Sequence, residues 1–328
     1  MRKAISKILD LSLVGLACAS MAAASHAAPT RPGNLLVTDL QANTLTEYTT
    51  SGSVVQRFSI PAPPSATEHL RDVVQGTDGR IHMFNGTFMP WMSTLDPATG
   101  GISNLTAKGW STGNIGSYGS IATTGSHVFV MDTDTAGGEA QGIVRFDLSD
   151  GSFERFASGN SFAYLTLGLD GKLYAGGSVL TNGVVVFDPM TMTSTGYFEL
   201  QDKRDIRGMA VDSAGNVYTA DWSGRIQKRN AGGSVIASLS TGQNLQDIDI
   251  DSEGNIVVGS RFGTVYLTDS SLTQMTSFQI GSRFGPSVHV AFTSSVPEPA
   301  TSAMGAVGML AVAALARGRQ RKHHPNAA

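Results

Sequence analysis

Several short segments of this chain bring together side chains that could do chemistry. They are Glu68-His69 with Arg71-Asp72, Asp205 with Arg207, Gln246-Asp247, and His289, with Tyr118 and Tyr164 at comparable places. Carboxylates and imidazoles that converge on one axis could hold a divalent cation such as calcium, or bind a small polar ligand without metal. Glu68, Asp205 and Asp247 are the nearest acidic candidates, and His69 and His289 the nearest basic ones. The plainer alternative is structural pairing of Arg71 with Asp72 and of Arg207 with Asp247. Asp247-Ile248-Asp249-Ile250-Asp251 alternates at period two, so its carboxylates share one face of a strand and suit hydrogen bonds to neighbouring amides. Asp132-Thr133-Asp134-Thr135 with Gly137-Gly138-Glu139 lacks the spacing of a calcium loop and reads as a hairpin connection. Trp91, Trp110 and Trp222 could stack on sugars, but packing between structural units is the expected role for Trp91 and Trp222. There is no nucleophile elbow, HExxH zinc motif, phosphate-binding loop or dinucleotide fingerprint.

The elements that must position these residues recur along the chain. Ile206–Asn230 is the clearest copy of the unit: strand, tight turn at Ser213-Ala214-Gly215-Asn216, strand, turn at Ser223-Gly224, strand. Glycines before each second strand mark the period: Gly33, Gly79, Gly125, Gly171, Gly215 and Gly254, spaced by 46, 46, 46, 44 and 39 residues. An all-strand repeat of 40–50 residues is the signature of a propeller blade. Innermost strands are expected at 70–75, 119–124, 164–169, 207–212, 246–251 and 287–292. The candidate residues above cluster at or near their starts. The body opens on a second strand (34–38) and ends on an innermost one, so the two ends complete one blade between them. The expected fold is all-β: a six-bladed β-propeller of four-stranded blades, closed by the C-terminal strand joining the first blade. A β-sandwich or an open solenoid is the alternative.

The string Gly208-Met209-Ala210-Val211-Asp212, Gly215-Asn216-Val217-Tyr218-Thr219-Ala220-Asp221 and Arg225-Ile226-Gln227 resembles NHL-repeat and related six-bladed propellers. Some relatives of that architecture are enzymes. Gluconolactonase-type propellers carry an axial calcium held by Glu, Asn and Asp, and streptogramin-lyase propellers use an axial His and a divalent metal. Neither ligand set maps residue by residue onto this chain.

Both ends read as addresses. Residues 1–27 carry Arg2, Lys3 and Lys7, an apolar run from Leu11 to Ala24, and a small-x-small site, so cleavage after Ala27 is expected. The apolar run is short and rich in Ala and Ser, which disfavours a spanning helix. A lipoprotein signal ending at Cys18 is a weaker rival, with Leu16 one place off the usual pattern. Cys18 is the sole cysteine, so residues 28–294 can form neither disulfides nor a cysteine zinc site. Residues 295–328 contain Pro297-Glu298-Pro299, an apolar run from Ala303 to Ala316, and an Arg/Lys-rich end. That three-part order resembles a PEP-CTERM sorting signal. The resemblance implies a Gram-negative host, signal peptidase and exosortase as processing partners, and transient membrane anchoring through the C-terminal helix. A tail anchor that is never cut is the alternative. The basic end would stay cytoplasmic, with the body on the far side.

The chain has 328 residues, 15% of them charged, and a formal net charge of −3. The body carries no basic patch, which argues against a nucleic-acid partner. Two functions compete. One is an exported, non-enzymatic cell-surface or matrix protein that binds exopolysaccharide or surface proteins. The other is a metal-dependent lactonase- or lyase-type enzyme working at the central channel. The lack of a complete catalytic set leans toward the first.

Overall fold

A computed structural model describes residues 27–39, 43–61, 70–85, 91–105, 120–132, 142–157, 162–178, 181–202, 205–280 and 287–294. The described chain forms 24 strands in six antiparallel sheets of four. From the axis outward, the first blade contains β24 (Val290–Phe292), β1 (Leu35–Asp39), β2 (Thr44–Tyr48) and β3 (Val54–Ser59). The second is β4 (Leu70–Gln75), β5 (Ile81–Asn85), β6 (Trp91–Asp96) and β7 (Gly101–Leu105). The third is β8 (Ile121–Thr123), β9 (His127–Asp132), β10 (Gly142–Asp147) and β11 (Phe153–Phe156). The fourth is β12 (Tyr164–Leu167), β13 (Leu173–Ser178), β14 (Thr181–Phe187) and β15 (Ser194–Glu199). The fifth is β16 (Ile206–Val211), β17 (Val217–Asp221), β18 (Arg225–Arg229) and β19 (Val235–Ser240). The sixth is β20 (Leu245–Ile250), β21 (Asn255–Ser260), β22 (Thr264–Asp269) and β23 (Met275–Gln279). This is the six-bladed β-propeller expected from the repeat, and the inner strands sit where the period places them.

Closure is made by the last strand. β24 pairs with β1 through Leu35↔Phe292, Leu36↔Ala291 and Val37↔Val290. The pairing extends past the ladder, because Thr293 N–H donates to Asn34 O and Gly33 N–H donates to Thr293 O. Side chains add to it. Ser294 N–H donates to Gln75 Oε1, and Gln75 Nε2 donates to Thr30 Oγ1, so the second blade also grips both ends. Glu47, fully buried, accepts from Arg31 N–H, Asn34 Nδ2 and Gln56 Nε2 and fixes the segment leading into β1.

Hydrophobic packing repeats with the blades. Six buried clusters occupy the six spaces between adjacent blades. The cluster of Leu35, Val37, Val257, Val265, Val288 and Val290 packs the sixth blade against the first, so the seam is as apolar as the other interfaces. Alternating strand patterns produce this, since one face of each sheet meets the blade before and the other the blade after.

The two faces of the disc differ. Connections from inner to second strands, and from third to fourth, are tight turns on one face, here the turn face. The six period-marking glycines lie there with φ between 78° and 85°, the left-handed region that suits glycine. Asp and Asn side chains staple these turns by accepting amides two residues on, as in Asp78 from Arg80, Asp212 from Ala214, Asn230 from Gly232 and Asp251 from Glu253. The opposite face, here the loop face, receives the remaining connections. Strand ends on that face include those of β3 and β4, of β7 and β8, and of β23 and β24.

Two consequences are testable. A Cβ on Gly208 would stand 2.8 Å from the Asp247 Cα and the Ile248 N of the next inner strand, so Gly208→Ala must push β16 from β20. Urea unfolding should show a loss of about 1–3 kcal/mol. His82 on β5 is buried, its Nδ1 3.0 Å from Thr94 Oγ1 and its Nε2 without a partner among the described residues. Burial lowers its pKa to about 4; Asp78 opposes this and Arg80 reinforces it. The folded form thus binds its proton less readily than the unfolded chain. Its contribution is intact above pH ~6.5 and is lost as pH falls toward 4, a change of at most about 3 kcal/mol. The melting-temperature gap between wild type and His82→Phe should shrink over that window; a constant gap would refute the assignment.

Candidate functional site

Inner strands carry the candidate residues, and a shared irregularity aims them. The pairing of β4 with β5 skips a residue between Leu70 and Asp72. That of β16 with β17 skips between Ile206 and Gly208, and that of β20 with β21 between Leu245 and Asp247. A one-residue bulge thus falls at Arg71, Arg207 and Gln246, at the loop-face end of three inner strands. Bulges re-aim side chains and concentrate beside functional sites. Past the bulge, β4 and β20 place Asp72 and Asp247 at the axis.

A cavity of about 240 Å³ runs from Asp72 and Asp247 toward the turn face, with lining from all six inner strands. Small-molecule clefts start at roughly 300 Å³, so the space suits water, an ion or a ligand of a few atoms. Its carboxylates are already engaged. Asp247 Oδ2 accepts from Val290 N–H at 2.9 Å, and Asp249 Oδ2 from Phe292 N–H at 2.7 Å. Asp72 Oδ2 accepts from Ile121 N–H at 2.8 Å. In each residue the other oxygen accepts the amide of the following residue. One motif thus appears three times: a carboxylate on one inner strand clasps the bare edge of the next. These edges have no ladder of their own, and charge-assisted bonds to them are among the stronger ones available.

Burial is the main influence on these acids. It pushes Asp247 up to about 7 and Asp249 to about 6, while the amide bonds pull the other way. Asp72 is raised well above the usual carboxylate range by burial and then by Asp247. His289 lies among them, its Nδ1 3.7 Å from Asp247 Oδ2 and 4.0 Å from Asp72 Oδ1. Burial lowers its pKa to about 3, and Arg71 acts in the same direction.

The other candidates fall elsewhere. Asp205 and Arg207 pair with each other at 2.5 Å on the loop-face rim. Arg207 does not take Asp247 as its partner, because the bulge turns it outward over Trp222, 4.4 Å from the ring centroid. Arg261 covers the same ring at 4.9 Å, so guanidinium groups occupy Trp222 where a sugar would stack. Trp222 joins the fifth and sixth blades, in keeping with its expected packing role. Tyr164 leaves the axis: it is buried with Val184, Met209 and Val217 between the fourth and fifth blades. Gln246 is half-buried at its bulge. Glu68, His69, Tyr118, Trp110, the Thr133–Glu139 loop, Pro297-Glu298-Pro299, the leader through residue 26 and the C-terminal apolar run lie outside the described residues. No helix of the described residues is long and apolar enough to cross a membrane.

The oxygen-only calcium set implied by gluconolactonase-type propellers is not assembled among the described residues. Asp72, Asp247 and His289 are what converge, with one ligand atom from each within 4.8 Å of the others. Asp249 belongs to the same carboxylate row, and its strand alternation was the signal for it.

No protein-family profile matches the chain, and no curated protein matches it in sequence. Solved structures do. A chain in the crystal structure of a nidogen/laminin complex superposes with a TM-score of 0.60 at 10% identity, over 80% of this chain and 99% of that one. The structure of the Dos1 propeller matches with a TM-score of 0.46 at 16% identity, over 76% of this chain and 69% of that one. At 10% identity the likeness to the chain of the nidogen/laminin complex speaks for the fold alone.

The clasp can be tested directly. Asp249→Ala leaves the Phe292 amide unbonded at the seam and should cost about 1–3 kcal/mol. Hydrogen exchange at Phe292 should accelerate while amides of β9 and β10 stay protected. Unchanged exchange at Phe292 would show that the bond carries no load.

Proposed function

We propose that this protein is an exported, non-enzymatic binding propeller, displayed at the cell surface or in the extracellular matrix, that engages its partner through the loop face. The asymmetry of the disc carries this reading. The turn face is made of short, side-chain-stapled turns. The longer connections, including a 15-residue stretch at 106–120, all join strand ends on the other face. Long connections on a rigid scaffold are where binding residues concentrate. The rim there offers Arg261, exposed and stacked on Trp222, and the partly exposed Phe262. The crystallised nidogen/laminin complex includes a chain of similar shape, which is consistent with a binding role.

The leader and the Pro297-Glu298-Pro299 tail support export, exosortase processing and transient anchoring. Exopolysaccharide or a surface protein is the partner class that such a location presents. The lactonase or lyase alternative draws on the channel, whose described carboxylates hold neighbouring strands.

Two measurements test the reading. Protease shaving of intact cells should release the full-length tagged protein's body. Replacing Pro297, Glu298 and Pro299 with Ala should retain it in the membrane fraction. A cytoplasmic wild-type protein would end the proposal. Purified protein should bind isolated exopolysaccharide or surface-protein extract saturably. Arg261→Ala with Phe262→Ala should weaken that at least tenfold, and Lys172→Ala on the turn face should not. Equal loss from both faces would refute use of the loop face.

A further inference from the structure

We propose that Asp72, Asp247 and His289 bind one divalent cation of the zinc class, and that this ion ties the closing blade to both of its neighbours. His289 precedes β24 in the first blade, Asp72 lies on β4 in the second, and Asp247 on β20 in the sixth. The three residues therefore come from the three blades that meet at the seam.

The imidazole is the telling group. His289 is 8% exposed, and neither ring nitrogen makes a hydrogen bond to a described residue. Its Nδ1 points at two carboxylate oxygens, 3.7 and 4.0 Å away, too far for hydrogen bonds. That geometry suits a cation placed between the imidazole and the two carboxylates. Ligand atoms around a tetrahedral zinc, at about 2.0–2.1 Å from the metal, stand roughly 3.3 Å apart. The three ligand atoms lie within 4.8 Å of one another, so movements of up to about three-quarters of an ångström each would bring them to that spacing.

The carboxylates are prepared for the role. Asp72 Oδ1 and Asp247 Oδ2, the oxygens nearest the imidazole, each accept one backbone amide and retain a lone pair. The amides fix their orientation in the manner of an outer ligand shell. The cavity that reaches Asp72 and Asp247 can supply a water as fourth ligand. An imidazole among three protein ligands suits zinc, whereas calcium and magnesium take oxygen. The described ligands thus differ from the calcium set implied by family resemblance. The site strengthens ring closure and is independent of what the loop face binds.

The test uses purified full-length protein, stripped with chelator and titrated with Zn²⁺ alone at neutral pH. The expected result is at least one tightly held ion per chain and a melting temperature that rises with Zn²⁺. His323 and His324 can bind zinc themselves, so the decisive quantity is what His289→Gln loses. That variant and Asp247→Asn should each forfeit the tight site by tenfold or more, and Asp205→Asn on the rim should keep it. Retention of tight binding by folded His289→Gln would overturn the proposal, as would a wild-type protein whose melting Zn²⁺ does not raise. If the variants do not fold, the ¹⁵N imidazole resonances of wild-type His289 decide the matter. They should move at the first equivalent of Zn²⁺, and resonances that stay in place would overturn the site.

Discussion

Ring closure is the constraint on which everything else in this molecule depends. Six wedge-like sheets around an axis leave two raw edges unless the last blade meets the first. Here a single three-residue strand, β24, makes that junction with β1. The hydrophobic clusters show why it suffices. The sixth-to-first interface is packed with Val and Leu like the other five, so the strand needs only to fix register while the blades bury their faces. The polar bonds at Thr293, Ser294 and Gln75 lie at the end of the seam where the two chain segments enter, where apolar packing runs out.

Around the axis the problem is different. Inner strands of neighbouring blades approach without pairing, which leaves amides that must find acceptors in a narrow space. Asp72, Asp247 and Asp249 meet part of that need from the side. The result concentrates acidity in the channel while the ring gains cross-ties. Gly208 shows the opposite solution, in which a missing side chain lets β16 lie against the backbone of β20.

Much of this architecture was legible in the sequence because it is periodic. Six glycines at nearly constant spacing marked the turns, and all six adopt the positive φ that makes glycine the natural choice. The complementary start and finish of the repeat foretold the β24–β1 junction. The alternation of Asp247, Asp249 and Asp251 foretold amide acceptors, and Asp251 indeed caps its turn by accepting from Glu253 and Asn255. What could not be read were the bulges at Arg71, Arg207 and Gln246. A bulge adds one residue without a characteristic side chain, yet it reverses the facing of everything before it. That is why Arg207, for which pairing with Asp247 is one reading of the sequence, is found instead against Asp205 and Trp222. Tyr164, also expected at the axis, is an interblade core residue for a similar reason, since strand position alone does not say which way a side chain turns.

The junction also sets a timetable for the chain. Thr38 and His289 are bonded to each other across 251 residues of sequence. Polypeptides are made and exported from the N-terminal end, so β1 emerges early and waits with an open edge for almost the whole of synthesis. Pairing over such a separation carries a large loop-closure cost, and unpaired edges invite association with other chains. The first blade of this protein is thus the last to be completed, and its folding is gated by arrival of the final strand.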